Sequence, residues 1–255
     1  MNQTTSVGGK LDGQLAIITG ASSGIGRAIA RAFLDAGADL VIVARRADRL
    51  RELETRAHAL RRRCQAVVGD AREEETARRA VEVAMSDFGH VDILVNNVGI
   101  AHYKPLAETS AAEYDAMMNT NMRSTFLFTR AVTPVLTAQR RGTIITISSM
   151  AGVMGFAGEA VYCATKFAQI GFTQALDREL RPYNIKVGAV CPGGVKTEFA
   201  LGTGRTEEGV AASGMLEADD VAAAALLMAT QPPESRIMEI RMRPMVEPLA
   251  GRDPE

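Results

Sequence analysis

A single α/β domain built on a doubly wound parallel sheet of about seven strands is the fold that the sequence predicts, and three observations carry it. Short apolar runs alternate with helical patterns about six times along the chain, as in a parallel sheet with helices on both faces. The runs are continuously apolar, as suits strands covered on both sides. No linker, internal repeat or low-complexity block divides the chain, and its 255 residues are a length that one α/β unit reaches.

The elements follow in order. Strand 15–19 ends in glycines, and a helix over 24–36 is closed by Gly37. Strand 40–43 leads into a charged helix over 47–63, whose last turn carries Arg61, Arg62 and Arg63 as a solvated complement to the helix dipole. Strand 66–68, a helix over 73–88 closed by Gly89, and strand 92–95 come next. Ser110 and Glu113 have capping-box spacing and start a long helix running towards Gln139, with a kink expected at Pro134. Strand 143–148, a helix over 159–180 ended by Pro182, and strand 186–190 broken by Pro192, Gly193 and Gly194 follow. Residues 195–217 read as a substrate loop, 218–229 as an alanine-rich helix and 236–242 as the last strand. Residues 1–10 read as a flexible tail.

Composition narrows the function. Hydrophobic residues make up 47% and charged residues 23%, enough for a sizeable core. A net charge of −1 gives no basic surplus for nucleic acid. The polar start of the chain has no secretory apolar region, and no apolar run is long enough to span a bilayer. Cys64, Cys163 and Cys191 are odd in number, widely spaced and without a CxxC pair, so reduced thiols in a cytoplasmic protein are expected, with no disulfide framework or metal site. His58, His90 and His102 show no ligand spacing and read as solvated or structural.

Thr19, Gly20, Ala21, Ser22, Ser23, Gly24, Ile25 and Gly26 join the first strand to the first helix. Glycines there allow a tight turn and let a pyrophosphate approach the backbone, while the helix N-terminus supplies free N–H donors. The spacing is GxxxGxG instead of GxGxxG. The second strand ends in Ala44, Arg45 and Arg46, where an acidic residue would be needed to hold a free ribose. A guanidinium at Arg45 can instead hold a phosphate, which predicts NADP(H) in preference to NAD(H). Arg46 reads as the start of a solvated helix.

Tyr162 and Lys166 stand at i and i+4 and share a helix face. A free phenol titrates near 10; a neighbouring cation favours phenolate and would make Tyr162 a general acid or base. Ser148 and Ser149, Asn96 to Gly99, and Pro192 to Gly194 all end strands, where open α/β sheets gather their sites.

Taken together, the chain resembles the short-chain dehydrogenase/reductase family, including its 3-oxoacyl carrier-protein reductases, from about Leu11 to Pro244. The resemblance rests on TGxxxGIG at 19–26, NNxG at 96–99, Asn121, Ser149, YxxxK at 162–166, and Pro192, Gly193 and Thr197. It implies a Rossmann-type dinucleotide fold and hydride transfer between a nicotinamide and a carbonyl or secondary alcohol. Tyr162 is then the general acid/base, Lys166 lowers its pKa and holds the nicotinamide ribose, and Ser149, chosen over Ser148, polarises the substrate oxygen. Asn121, chosen over Asn119, holds a water that links Lys166 to solvent. Asp70 lies near the adenine, Asn97 and Gly99 in the cofactor cleft, Thr197 near the nicotinamide carboxamide or the pyrophosphate, and Pro192, Gly193 and Val195 among the cofactor contacts. Dimers or tetramers are implied, through the helix carrying Tyr162 and the one before it. Val98 departs from the usual alanine. Met150, Met154 and Phe156 follow Ser149 and read equally as pocket or as core. A non-catalytic NADP-binding sensor is the rival reading; it is disfavoured because serine, tyrosine and lysine are all present.

Overall fold

Alternation along each strand sorts the apolar runs into two cores. Ala16 and Ile18, Leu40 and Ile42, and Ile93 and Val95 turn to one face; Leu15 and Ile17, Val41 and Val43, and Leu94 turn to the other. The computed structural model describes residues 9–246, so most of the expected 1–10 tail lies outside the described residues. It contains β1 (Leu15–Thr19), β2 (Asp39–Ala44), β3 (Cys64–Val68), β4 (Ile93–Asn96), β5 (Gly142–Ile147), β6 (Ile185–Pro192) and β7 (Glu239–Met242). All pair in parallel, in the order β3-β2-β1-β4-β5-β6-β7.

The helices are α1 (Gly24–Asp35), α2 (Ala47–Ala59), α3 (Glu74–Asp87), α4 (Ala111–Met118), α5 (Ser124–Gln139), α6 (Ala160–Leu180), α7 (Glu207–Ala212) and α8 (Ala218–Ala229). Residues of α1, α2 and α8 fill the first core; residues of α3, α5 and α6 fill the second. Strand order reverses between β1 and β4, which opens a crevice beyond their carboxyl ends. Gly20 and Asn97 sit there, and the ends of β2, β5 and β6 face the same way.

The structure corrects four local readings. The second helix stops at Ala59 because Arg61 is left-handed, at φ 57°; Arg62 then pairs with Asp12 and Arg63 with Asp39, so this arginine run ties down neighbours and does not form a last helical turn. The long helix from Ala111 is interrupted at a π turn, Asn119–Arg123, well before Pro134, which sits inside α5. The last strand begins at Glu239, and Arg236 is instead paired with Asp177 on α6. The 195–217 loop contains the short helix α7, capped by Thr206.

Candidate active site

The glycine turn is built by backbone conformations that side chains resist. Gly20 has φ 69° and Gly24 φ 51°. A Cβ on Gly20 would fall 2.8 Å from Asn97 Nδ2, and one on Gly24 3.1 Å from Thr197 Cγ2. The start of α1 takes no side-chain cap and no acidic residue, so its first N–H groups remain donors for an anion. Gly26 is a packing glycine: a Cβ there would lie 2.4 Å from the Gly20 carbonyl oxygen. Asn97 fastens the turn, donating from Nδ2 to the Thr19 carbonyl at 3.1 Å and from its backbone N–H to Thr19 Oγ1 at 2.9 Å.

The end of β2 presents both arginines to the same space. Arg45 is exposed. Arg46 donates to Ser22 Oγ at 3.2 Å and pairs with Glu198 at 3.0 Å, so it belongs to the glycine turn as much as to α2. Asp70, at the end of β3, is held by Arg72 at 2.7 Å, and that guanidinium keeps its carboxyl below the usual range.

Ser149, Tyr162 and Lys166 converge where β5 meets α6. Ser149 Oγ accepts from the Ala151 N–H at 3.0 Å and donates to the Pro192 carbonyl at 3.5 Å, and its hydroxyl opposes the rise in the Tyr162 proton affinity. Ser148 turns away and donates to the Lys166 carbonyl at 3.3 Å. Lys166 Nζ lies 5.8 Å from the Tyr162 ring centroid. Its bonds go to Gln169 Oε1 at 2.9 Å and the Ile147 carbonyl at 3.2 Å. Burial dominates the electrostatics: it lowers the Lys166 ammonium to about 8 and raises the Tyr162 phenol above its ordinary value, against smaller opposing effects of Ser149 and Arg205. The ammonium therefore does not set the phenol's proton affinity in the simple way that i, i+4 spacing implies.

Asn121 is fully buried in the π turn. Its side chain straps the loop after β4, accepting from the Ile100 N–H at 2.8 Å and donating to the Ile100 carbonyl and Thr165 Oγ1, each at 2.9 Å. Its carbonyl accepts from Thr125 Oγ1 and Gln169 Nε2, both at 2.9 Å, which fills both oxygen lone pairs. Gln169 thus bridges the Asn121 carbonyl to Lys166.

One cavity of about 1300 Å³ joins these groups. It is lined by Gly20, Ser22, Ser23, Gly24, Ile25, Arg45, Asp70, Asn97 and Gly99 at one end and by Ser149, Tyr162, Lys166, Pro192, Gly193, Val195 and Thr197 at the other. Gly26 and Asn121 stand behind its wall. Met150 and Phe156 line it, while Met154 does not. Arg46, Arg72, Tyr103, Glu159, Phe199 and Arg205 also line it, and no motif had marked them.

A family model described as short chain dehydrogenase matches residues 14–208. The chain belongs to the short-chain dehydrogenase family. The 3-oxoacyl-(acyl-carrier-protein) reductase of Thermotoga maritima is 34% identical over 188 residues, 74% of this chain and 76% of that protein. A metagenomic short-chain oxidoreductase solved with NADP is 33% identical, with a TM-score of 0.80 over 93% of this chain and 100% of that one. The closed form of serine dehydrogenase complexed with NADP+ is 29% identical, with a TM-score of 0.87 over 95% of this chain and 99% of that one.

Against this family's pattern, Val98 packs its side chain 3.3 Å from where a Gly20 Cβ would stand, so the larger residue braces the turn. His90 and His102, read as solvated or structural, lie 3.1 Å from Asp92 and 3.6 Å from Glu113. Among the described residues no helix is long and apolar enough to cross a membrane.

The buried lysine of this dehydrogenase gives a signed pH effect. Its folded pKa of about 8 lies below the ordinary 10.5, so the unfolded chain binds the extra proton between those values and stability from this group rises with pH there. Relative to Lys166→Met, the wild-type unfolding free energy should climb by about 3 kcal/mol between pH 8 and 10.5. Urea unfolding of both proteins across that range measures it; parallel curves would refute it.

Proposed function

We propose that this short-chain dehydrogenase is an NADP(H)-dependent oxidoreductase that interconverts a carbonyl and a secondary alcohol. The observation that carries the reading is the convergence of Ser149, Tyr162 and Lys166 in a cavity whose other end holds the glycine turn and two arginines. That donor set fits a phosphorylated dinucleotide. Gly20 and Gly24 leave room for a pyrophosphate, the start of α1 donates to it, and Arg45 and Arg46 suit a 2′-phosphate. Ala44 offers a free ribose no acceptor, which disfavours NAD(H). The relatives solved with NADP support the same choice.

When bound, the cofactor supplies or takes up the hydride at the substrate carbon. In reduction Tyr162 gives its phenolic proton to the carbonyl oxygen, so the C=O group gains one hydride and one proton; in oxidation the phenolate takes that proton back. Burial keeps the phenol protonated, which is the form that reduction consumes. Ser149 donates to the oxygen on which negative charge develops. Lys166 would hold the nicotinamide ribose, and its charge stands 5.8 Å from the Tyr162 ring centroid. Pro192, Gly193, Val195 and Thr197, on the same cavity, would help to hold the cofactor, Thr197 from beside Gly24. Gln169 and Asn121 position Lys166. All three reacting side chains are in place, which favours an enzyme over a cofactor-binding sensor, and the likeness to a 3-oxoacyl carrier-protein reductase supports a ketone substrate. Free thiols at Cys64, Cys163 and Cys191 suit the reducing cytoplasm.

Phe126 on α5 and Phe167 on α6 are exposed, which supports a homodimer or homotetramer formed through these helices. Light scattering at micromolar concentration should give two or four times the chain mass, and a monomer rejects the assignment. Tyr162→Phe should retain NADPH binding by fluorescence and lose about 10²–10⁴-fold in kcat; a variant keeping most of its turnover removes the mechanism. Arg45→Asp should raise the KM for NADPH strongly and that for NADH little. Equal losses with both cofactors would place the phosphate elsewhere.

A further inference from the structure

Beside Tyr162 the cavity is bounded by two aromatic rings. Tyr103 meets Tyr162 edge-on with centroids 5.6 Å apart, and Phe199 lies 5.9 Å away. Arg205 caps the same two rings, its guanidinium carbon 5.6 Å from the Tyr103 centroid and 5.8 Å from that of Phe199. A cation therefore stands one ring beyond the phenol, held by the substrate loop. Arg205 donates to the Val195 carbonyl at 3.3 Å. A guanidinium has five N–H donors, so most remain uncommitted.

Among the described residues Arg205 has no carboxylate within ion-pair distance, whereas Arg46 and Arg72, on the same cavity, each have one. The cavity also contains a half-buried carboxylate, Glu159, with no side-chain hydrogen bond or ion pair among the described residues. Two opposite charges thus face one space near the reacting phenol without closing on each other. The two charges attract each other across that space but are not closed into an ion pair, and a planar arginine fork is matched to a carboxylate.

We propose that Arg205 anchors a carboxylate of the substrate, and that the substrate is a short oxo or hydroxy monocarboxylic acid whose reacting carbon stands at Tyr162. The aromatic pair of Tyr103 and Phe199 spaces the anchor from the phenol. Glu159 repels a second carboxylate and so limits the substrate to one. This rests on the oxidoreductase reading above and names the substrate class of that site.

The test uses the full chain with NADP+ and 2-hydroxybutyrate, 3-hydroxybutyrate and 4-hydroxypentanoate, all secondary alcohols, each beside its methyl ester, and with NADPH and neutral ketones as a control panel. At least one acid should exceed its ester in kcat/KM by about 10- to 100-fold, the range of one charge-assisted pair. Arg205→Gln should collapse that preference to within a few-fold, mainly through the KM of the acid. Arg205→Lys, which keeps the charge but loses the fork, should retain part of it. NADPH fluorescence binding reports whether each variant is folded. Esters turned over as well as acids by the wild type, or an acid preference that survives Arg205→Gln, would overturn the anchor. Turnover of neutral ketones with no acid accepted overturns the anchor and leaves the oxidoreductase reading standing. No turnover of any probe, with NADPH still bound, counts against both.

Discussion

The carbonyl oxygen of Asn121 has two lone pairs, and two side chains occupy them. Thr125 Oγ1 and Gln169 Nε2 each donate at 2.9 Å, and the chain around this oxygen forms a π turn instead of continuing the α-helix. Such turns recur at functional sites because they turn a backbone group out of the helix ladder. Here the consequence runs outward in both directions. The Asn121 side chain straps the loop after β4 through Ile100, which fixes Gly99 beside the cavity. Gln169, held by Asn121 and by Thr125 at 2.8 Å, presents Oε1 to Lys166. A buried ammonium tolerates burial only with such partners, and two carbonyl-type oxygens, of Gln169 and Ile147, receive it.

That arrangement changes how the tyrosine and lysine are understood. Spacing alone makes them a phenol and a cation on one face. Packed into the sheet, both lose water, and burial moves their proton affinities in opposite directions, each towards its neutral form. The ammonium faces Gln169 and the β5 backbone, so the protonated phenol is the resting form. Ser149, held by the Ala151 N–H, acts in the opposite sense and lowers the phenol's proton affinity.

The legible part of this molecule is the part written in local pattern. Strand β1 and helix α8 have the limits that their apolar runs imply, and the Ser110–Glu113 capping box starts α4 as its spacing implies. The glycine turn is legible because positive φ restricts residue choice at Gly20 and Gly24. What the sequence hides depends on contacts between distant segments. Gln169 looks like any polar residue on a helix until it bridges two elements. Arg46 reads as solvent-facing until the fold brings Ser22 beneath it. Arg205 and Tyr103 are a hundred residues apart and carry no motif; only the packing of the 195–217 segment against the loop after β4 joins them, with Thr203 Oγ1 donating to the Ala101 carbonyl at 2.8 Å. The helix break at Asn119–Arg123 was invisible for the same reason: Pro134 is the obvious local breaker, but the hydrogen bonds that interrupt the helix come partly from α6.

Three consecutive residues unite the cavity. Thr197 packs against Gly24 in the glycine turn, Glu198 reaches Arg46 and Arg49 beside the second strand, and Phe199 lies against Tyr162. The Glu198 pairs are largely exposed, and exposed ion pairs contribute little, so a phosphate can take Arg46 from Glu198 at small cost. The Phe199 contact is apolar and adjoins the buried phenol, so it is the firmer of the two. The loop is therefore held by packing at Thr197 and Phe199, with the exposed ion pairs of Glu198 between them. Any anion that displaces Glu198 acts on a segment whose next residue touches Tyr162, and this gives the two ends of the cavity a direct mechanical connection through a single stretch of backbone.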